Sequence, residues 1–409
     1  LSERRVVITG IGICSPIGNS MAEVDGSLRE MRGGIRAMPE WTTFGQLGSL
    51  VAGVVDGVDR KAWPRKRTRT MGRVALLAAW ASDRAVEDAG LSPDDLHSGR
   101  AGITHGSTHG SSSVLESYCR KLFANNSFKG VAGSDFLKFM SHTTAANLAE
   151  YLGIRGRVQP TCSACTSASQ AIGQAYEYVR YGLQDVMVCG GSEELHITHA
   201  GVFDVMYAAS RKFNDKPDLT PRPFDAERDG VVVGEGAATL ILEPLERARA
   251  RGAKIYAEVL GYGTNCDGIH LTNPSYEGMA NCMRQALDSA QIPAEEVDYV
   301  DAHGTATELG DIAESKATFE VLGESVPVST QKSYTGHTLG ACGAIETACA
   351  MAMMAGNYVA PNRNLVQVDE RCAPLNFVRD EPQMKQLDTI MNNNFAFGGI
   401  NTSLIYRRL

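Results

Sequence analysis

Two kinds of hydrophobic pattern alternate along this chain from end to end. Short, nearly continuous apolar runs, several ending in glycine, predict strands at 5–13 (RVVITGIGI), 101–106 (AGITHG), 185–191 (DVMVCGG), 297–304 (VDYVDAHG), 326–330 (VPVST) and 387–393 (LDTIMNN). Between them, apolar positions spaced by three or four residues predict helices at 71–90, 143–152, 166–181, 277–290, 310–322 and 343–355. Strand alternating with helix is the pattern of an α/β protein, and strands apolar at nearly every position belong to a sheet covered on both faces. Two further segments, 230–242 and 402–407, read as antiparallel closing strands, the first containing a turn or bulge at Gly234-Glu235-Gly236. A charged helix from Glu246 to Arg251 ends at Gly252 before a new strand opens at Ile255, which divides the chain into halves 1–252 and 253–409. No identity repeat relates the halves and no Pro- or Ser-rich linker separates them, so they are expected to pack on each other.

Size and composition narrow this picture. At 409 residues and 43% hydrophobic, the chain can bury a large core. No apolar run approaches the roughly 20 residues of a membrane span, and Leu1-Ser2-Glu3-Arg4-Arg5 leads into a strand instead of the apolar core of a signal peptide, so a cytoplasmic protein with no membrane role is expected. The ten cysteines are scattered, some inside apolar runs (Cys189, Cys349), which fits reduced thiols better than a disulfide framework. A net charge of −8 argues against nucleic acid as a partner. The charge is uneven, however. Arg60, Lys61, Arg65, Lys66, Arg67, Arg69 and Arg73 crowd around Trp63 and Pro64 just before or at the start of the 71–90 helix, a patch that would steer an anionic partner.

The candidate chemistry centres on Cys165 in PTCSACTSA, between a β-prone stretch and the helix predicted at 166–181. A thiol at a helix N-terminus meets unpaired N–H groups and the positive end of the dipole, which favour the thiolate by up to ~2 kcal/mol, or roughly 1.5 pKa units. Small neighbours (Ser163, Ala164, Thr166, Ser167) leave room for a bulky electrophile. Two histidines stand in glycine-rich turns after strands, His303 in DAHGTAT and His337 in KSYTGHTLG, at the carboxyl ends where α/β sheets handle ligands. His97, His142, His196, His199 and His270 have no such setting and read as structural. Cys162 and Cys165 form a C-x-x-C that could join both histidines in a Cys2His2 zinc site or act as a redox dithiol. The histidine turns lack the acidic neighbours that orient zinc-bound imidazoles, and no metal is expected.

Five ordered motifs carry a resemblance that spans essentially the whole chain: SACTSAS around Cys165, RPFDAERDGVVVGEGA, HGTATELGD, KSYTGHTLGACGAIE and the terminal NNFAFGGIN. On these motifs the chain resembles the elongating β-ketoacyl-acyl carrier protein synthases, type I/II ketosynthases of the thiolase-like superfamily, with GGSEELHITHAGVFDVMYAASRKFND nearer the type I branch. The resemblance implies an α/β, five-layer αβαβα fold built from two similar halves, the first carrying the nucleophile and the basic segment, the second the two histidines and a phenylalanine gate. It implies that Cys165 accepts an acyl group from acyl carrier protein, and that His303 and His337 then act on malonyl-acyl carrier protein in a decarboxylative Claisen condensation. By the same carry-over Lys332 is the active-site lysine and Glu346 its acidic partner, the pair orienting His337. Backbone N–H groups of Cys165 and Phe397 form an oxyanion hole, Phe397 with Phe395 gates the acyl pocket, and Thr305 and Thr307 bind the phosphopantetheine arm. Arg65, Lys66 and Arg69 dock the acidic carrier, with Arg211 and Lys212 as further candidates.

The resemblance also implies no metal or diffusible cofactor, and either a homodimer or pairing with a chain-length-factor-like subunit. A non-catalytic subunit of that kind lacks the nucleophile, and a thiolase uses a second catalytic cysteine in place of one histidine; this chain keeps Cys165 and both histidines. Three positions depart from the family pattern. His109, in GSTHG, stands where these synthases carry a small or aliphatic residue by the acyl pocket and dimer interface, Ala396 replaces a glycine between the gate phenylalanines, and Cys342 replaces an alanine. An unpaired imidazole in an apolar pocket costs ~1–3 kcal/mol, so a specialised polyene or polyketide-like lipid pathway is the alternative expectation to fatty acid synthesis.

Overall fold

In the computed structural model, which describes residues 3–124 and 126–409, eleven strands join edge to edge. In chain order they are β1 (Val6–Cys14), β2 (Ala101–Gly106), β3 (Val158–Thr161), β4 (Val186–Glu193), β5 (Gly236–Pro244), β6 (Ala257–Cys266), β7 (Tyr299–Asp301), β8 (Pro327–Ser329), β9 (Asn376–Phe377), β10 (Thr389–Ala396) and β11 (Ile400–Arg407). Their spatial order is β9-β8-β7-β10-β11-β6-β1-β5-β4-β2-β3. This order contains a repeat that residue identity hides. Successive pairs in β3-β2-β4-β5-β1 run parallel, parallel, antiparallel, antiparallel, and β8-β7-β10-β11-β6 does the same. The two half-sheets meet where β1 pairs with β6 over three residues, Val6 opposite Val259 to Ile8 opposite Ala257.

Six helices set the layers: α1 (Arg73–Ala89), α2 (Ser167–Arg180), α3 (Ile197–Val205), α4 (Tyr276–Ala290), α5 (Glu308–Leu322) and α6 (Cys342–Gly356). α1 covers the outer face of the first half-sheet; α4, with α5 against it, covers that of the second. α2 and α6 lie between the half-sheets, each touching strands of both, so the section reads αβαβα, the five-layer thiolase-like arrangement expected. A middle-layer helix must be apolar all round. Among the described residues, the one segment long and apolar enough to cross a membrane, Leu339–Gly356, is α6 with the turn before it, and 89% of it is buried inside the fold.

Each outer helix packs on a strand that offers no side chain at the contact. A Cβ added at Gly10 or Gly12 of β1 would lie 2.2 Å from Ala85 O or 1.9 Å from Ala81 O of α1. Gly261 and Gly263 of β6 meet α4 in the same way, at 2.4 Å from Ala286 O and 2.3 Å from Cys282 O.

Most predicted elements appear within a few residues of their expected ends, and the exceptions have local causes. The segment 230–242 becomes a strand only from Gly236. Before it, the buried Glu235 carboxylate accepts the N–H groups of Val55 (3.1 Å) and Leu195 (3.2 Å) and pairs with Arg73, pinning the chain outside the sheet. The strand expected at 297–304 stops at Asp301, because Ala302, His303 and Gly304 leave the ladder as a turn.

Candidate active site

β3 ends at Thr161, and a 3₁₀ turn, Ala164–Thr166, carries Cys165 into the start of α2. Ala164 has φ +50°, a left-handed conformation strained for a residue with a Cβ. Local hydrogen bonds hold it: Ser163 N–H to Ser167 Oγ (2.9 Å), Ser167 Oγ–H to Ala164 O (2.7 Å) and Thr166 Oγ1–H to Ser163 O (2.7 Å). The result corrects the expectation of an ionised thiol. Cys165 precedes Thr166, the N-cap of α2, and is 7% exposed. Burial pushes its thiol up to about 11, against the pull of the Lys332 charge and the backbone N–H groups of Cys165 and Phe397. Desolvation of a charged sulfur therefore outweighs the helix end, and the resting group is a thiol. Alkylation of Cys165 by iodoacetamide is expected to speed up steadily across neutral and mildly alkaline pH, with a midpoint above the ~8.5 of an ordinary thiol. A rate already at its plateau at pH 7 would contradict this.

His303 and His337 converge on the sulfur. Cys165 Sγ and the nearest ring nitrogens all lie within 4.8 Å of one another, and all three side chains are buried. His337 Nε2 is 3.0 Å from Cys165 Sγ, and the rings of His303 and His337 meet edge to face at 5.2 Å. Leu339 N–H donates to His337 Nδ1 (3.2 Å), so this nitrogen is an acceptor and the ring proton sits on Nε2. His303 Nδ1 faces Asn394 Nδ2 at 3.4 Å, while its buried Nε2 has no partner in the chain. Burial holds both imidazoles well below the ordinary histidine value, with the Lys332 charge adding to it, and His337 adding further for His303. Two neutral rings thus present Nε2–H donors beside one thiol.

That tautomer bears on the zinc alternative. The cluster is compact enough for a metal ion, but Cys162 is outside it, donating its thiol to Thr108 O (3.3 Å). A metal at Nε2 of His337 would need a proton on Nδ1, facing the N–H of Leu339. The geometry favours N–H donation to a ligand atom.

Lys332 and Glu346 form a buried ion pair, and the carboxylate outweighs burial to hold the ammonium above its ordinary value. No hydrogen bond joins this pair to His337 among the described residues; the Lys332 charge bears on its ring instead. Glu346 Oε2 instead accepts Asn394 Nδ2 (2.7 Å), and the chain of contacts runs to His303. Cys342 donates its thiol to Cys165 O (3.1 Å).

A cavity of about 450 Å³ reaches the cluster. Cys165, His303, His337, Thr305, Thr307, Phe395, Ala396 and Phe397 line it, and the hydroxyls of Thr305 and Thr307 are 2.9 Å apart. Phe395 is buried under the site and Phe397 is 37% exposed. His109 is not among these lining residues: it is exposed and stacks on His199 at 5.5 Å. Arg65, Lys66 and Arg69 are exposed on and just after the short helix Arg65–Thr68, with no ion pair among the described residues, and an open basin runs between Arg65, Arg69, Lys61 and Trp63. Arg67 and Arg73 are committed elsewhere, over the Tyr151 ring at 4.0 Å and to Glu235. Arg211 is bound to Asp204 (2.8 Å), whereas Lys212 is exposed.

Sequence reasoning missed Phe203, Glu314 and Asn394. Phe203, on α3, sits 5.6 Å from the Phe397 ring and 6.5 Å from His337. Glu314 accepts the backbone N–H groups of His303 (2.6 Å) and Gly304 (2.7 Å), and burial pushes its carboxyl up to about 8. A carboxylate eleven residues after His303 on the next helix was the available signal.

Comparison with known proteins agrees with this geometry. Residues 3–248 match the family model of the β-ketoacyl synthase N-terminal domain and 256–366 that of the C-terminal domain. The chain is 39% identical over 406 residues to 3-oxoacyl-[acyl-carrier-protein] synthase 1 of Haemophilus influenzae, covering 99% of both chains. It superimposes on the crystal structure of a β-ketoacyl synthase from Burkholderia phymatum STM815 with a TM-score of 0.96 at 48% identity, covering 99% of this chain and 100% of that one. One chain of a structure described as a type II polyketide synthase acyl carrier protein in complex with its ketosynthase matches with a TM-score of 0.91 at 30% identity, over 100% of each chain. With two family models matching 3–248 and 256–366 and full-length relatives at this identity, the chain belongs to the β-ketoacyl synthase family.

Proposed function

We propose that this protein is a β-ketoacyl-acyl carrier protein synthase that extends an acyl chain by decarboxylative condensation with malonyl-acyl carrier protein. One observation carries the reading: a nucleophilic sulfur and two neutral Nε2–H donors share one point at the inner end of a cavity. In the first half-reaction the Cys165 sulfur bonds to the acyl carbonyl carbon, the carrier thioester breaks, and the thiol proton leaves on the pantetheine sulfur. In the second, the malonyl thioester loses CO2, and the electron pair of the broken C–C bond becomes an enolate. Nε2–H groups of His303 and His337 stabilise its oxygen as charge builds. The enolate carbon then attacks the Cys165 thioester. Backbone N–H groups of Cys165 and Phe397, which already bear on the sulfur, hold the oxyanion until Cys165 is expelled as a thiolate, which takes up one proton from solvent.

The reaction so written calls for no metal or diffusible cofactor. Thr305 and Thr307 offer hydroxyls to the pantetheine arm, and Phe395 and Phe397 bound the acyl side of the cavity. Cys165 and both histidines fit the catalytic subunit of either a homodimer or a pair with a chain-length-factor-like subunit; a homodimer is the assembly we assign, and a heterodimer is the alternative. Incubation with an acyl carrier and malonyl-acyl carrier protein tests the activity: the expected result is a β-ketoacyl carrier with one CO2 released per condensation, and CO2 release without product would count against it.

Arg65, Lys66 and Arg69 are the docking contacts for the acidic carrier. The charge-reversal pair Arg65→Glu with Arg69→Glu is expected to raise KM for the carrier by about tenfold or more at low salt, with kcat within twofold, and the difference should shrink as salt screens the patch. An unchanged, salt-insensitive KM would remove these residues from the interface.

A further inference from the structure

We propose that Asn394 is a positioning residue that holds His303 in the Nε2–H tautomer and thereby aims its donor at the reacting thioester oxygen. The inference rests on the function proposed above and adds a residue to its machinery. Asn394 is fully buried on β10, one residue before Phe395. The orientation of its amide follows from its neighbours. Oδ1 accepts the Ser169 hydroxyl, and Nδ2 donates at 2.7 Å to Glu346 Oε2, part of a carboxylate whose other oxygen is paired with Lys332. One N–H remains, with His303 Nδ1 at 3.4 Å and Cys342 Sγ at 3.5 Å as the acceptors in reach. A ring that accepts at Nδ1 carries its proton on Nε2, and that atom is buried and unpaired in a ring with a nitrogen within 4.8 Å of Cys165 Sγ.

The charged and titratable groups facing His303 leave this arrangement intact. Lys332 and His337 disfavour a second ring proton, and Glu314 commits both carboxyl oxygens to the backbone N–H groups of His303 and Gly304. Glu346 reaches the ring only through Asn394. Asn394 therefore links the buried ion pair to one of the two donors.

Three variants test the proposal, each assayed for malonyl decarboxylation, for Cys165 acylation and for the His303 tautomer by ¹⁵N-histidine NMR. Asn394→Ala is expected to lower kcat for decarboxylation about 10- to 100-fold with KM and acylation within twofold, the size expected for a lost orienting contact. Asn394→Ser, which keeps a donor hydroxyl, should recover part of that loss. Asn394→Leu keeps the size and removes every donor, so His303 should lose its preference for the Nε2–H tautomer and decarboxylation should fall at least as far as in Asn394→Ala. Decarboxylation within threefold of the parent in Asn394→Ala, or an unchanged His303 tautomer in Asn394→Leu, would overturn the proposal. Equal losses of acylation and decarboxylation would do the same, since they would mean general damage. A parent protein that shows the Nε2–H tautomer and decarboxylates nothing would overturn the proposed function and leave the positioning role standing.

Discussion

Cys165→Ala is expected to abolish condensation, by about four orders of magnitude or more, because no other group at the site can carry the acyl chain. Cys162 is the nearest thiol in sequence, but it points away to Thr108 O, and the Cys342 thiol is turned to Cys165 O. The same variant should still decarboxylate malonyl-acyl carrier protein, since the two imidazole donors do not depend on the sulfur for their tautomers: Leu339 N–H and Asn394 Nδ2 set those. Loss of both activities together would mean that the thiol is part of the donor geometry, and persistence of condensation would mean that another nucleophile does the work. The change removes one atom beside an existing cavity, so a thermal unfolding transition close to the parent's should accompany it.

The second large effect concerns the donor pair. His303→Ala and His337→Ala should each slow decarboxylation by about 10²- to 10³-fold, the cost of one preorganised oxyanion donor, while Cys165 acylation stays within a few fold. The double variant should lose less than the product of the two, because both rings serve one oxygen. The pH dependence has a definite sign. Burial and the Lys332 charge hold both rings neutral to well below the ordinary ~6.5, so decarboxylation should not lose rate through histidine protonation between pH 7 and pH 6. A rate that falls tenfold over that interval would mean that at least one ring titrates like an exposed histidine.

How much of this was legible beforehand differs by level. The strands were readable because a sheet covered on both faces needs apolar residues at nearly every position, as in β1, β2, β4 and β5, all buried throughout. The duplication was not, because only the packing requirement recurs: Gly10-Ile11-Gly12 against an alanine-rich α1, and Gly261-Tyr262-Gly263 against α4. Cys165, His303 and His337 could be found from their turns and motifs, being residues whose chemistry is local to a strand end. The ionisation of Cys165 could not, since the dipole is a property of the following helix while the larger opposing cost, burial, comes from the whole fold. Asn394 escaped for a related reason. Its role depends on Ser169, Glu346 and His303 arriving from three other segments at one amide.

Intact-mass analysis of the protein after incubation with an acyl carrier, followed by peptide mapping and then addition of malonyl-acyl carrier protein, tests the central claim most directly. The account predicts one acyl group per chain, located on Cys165 and discharged as a β-ketoacyl carrier when malonyl-acyl carrier protein is added. An acyl group found on another residue, or one that persists on the Cys165→Ala protein, would contradict it.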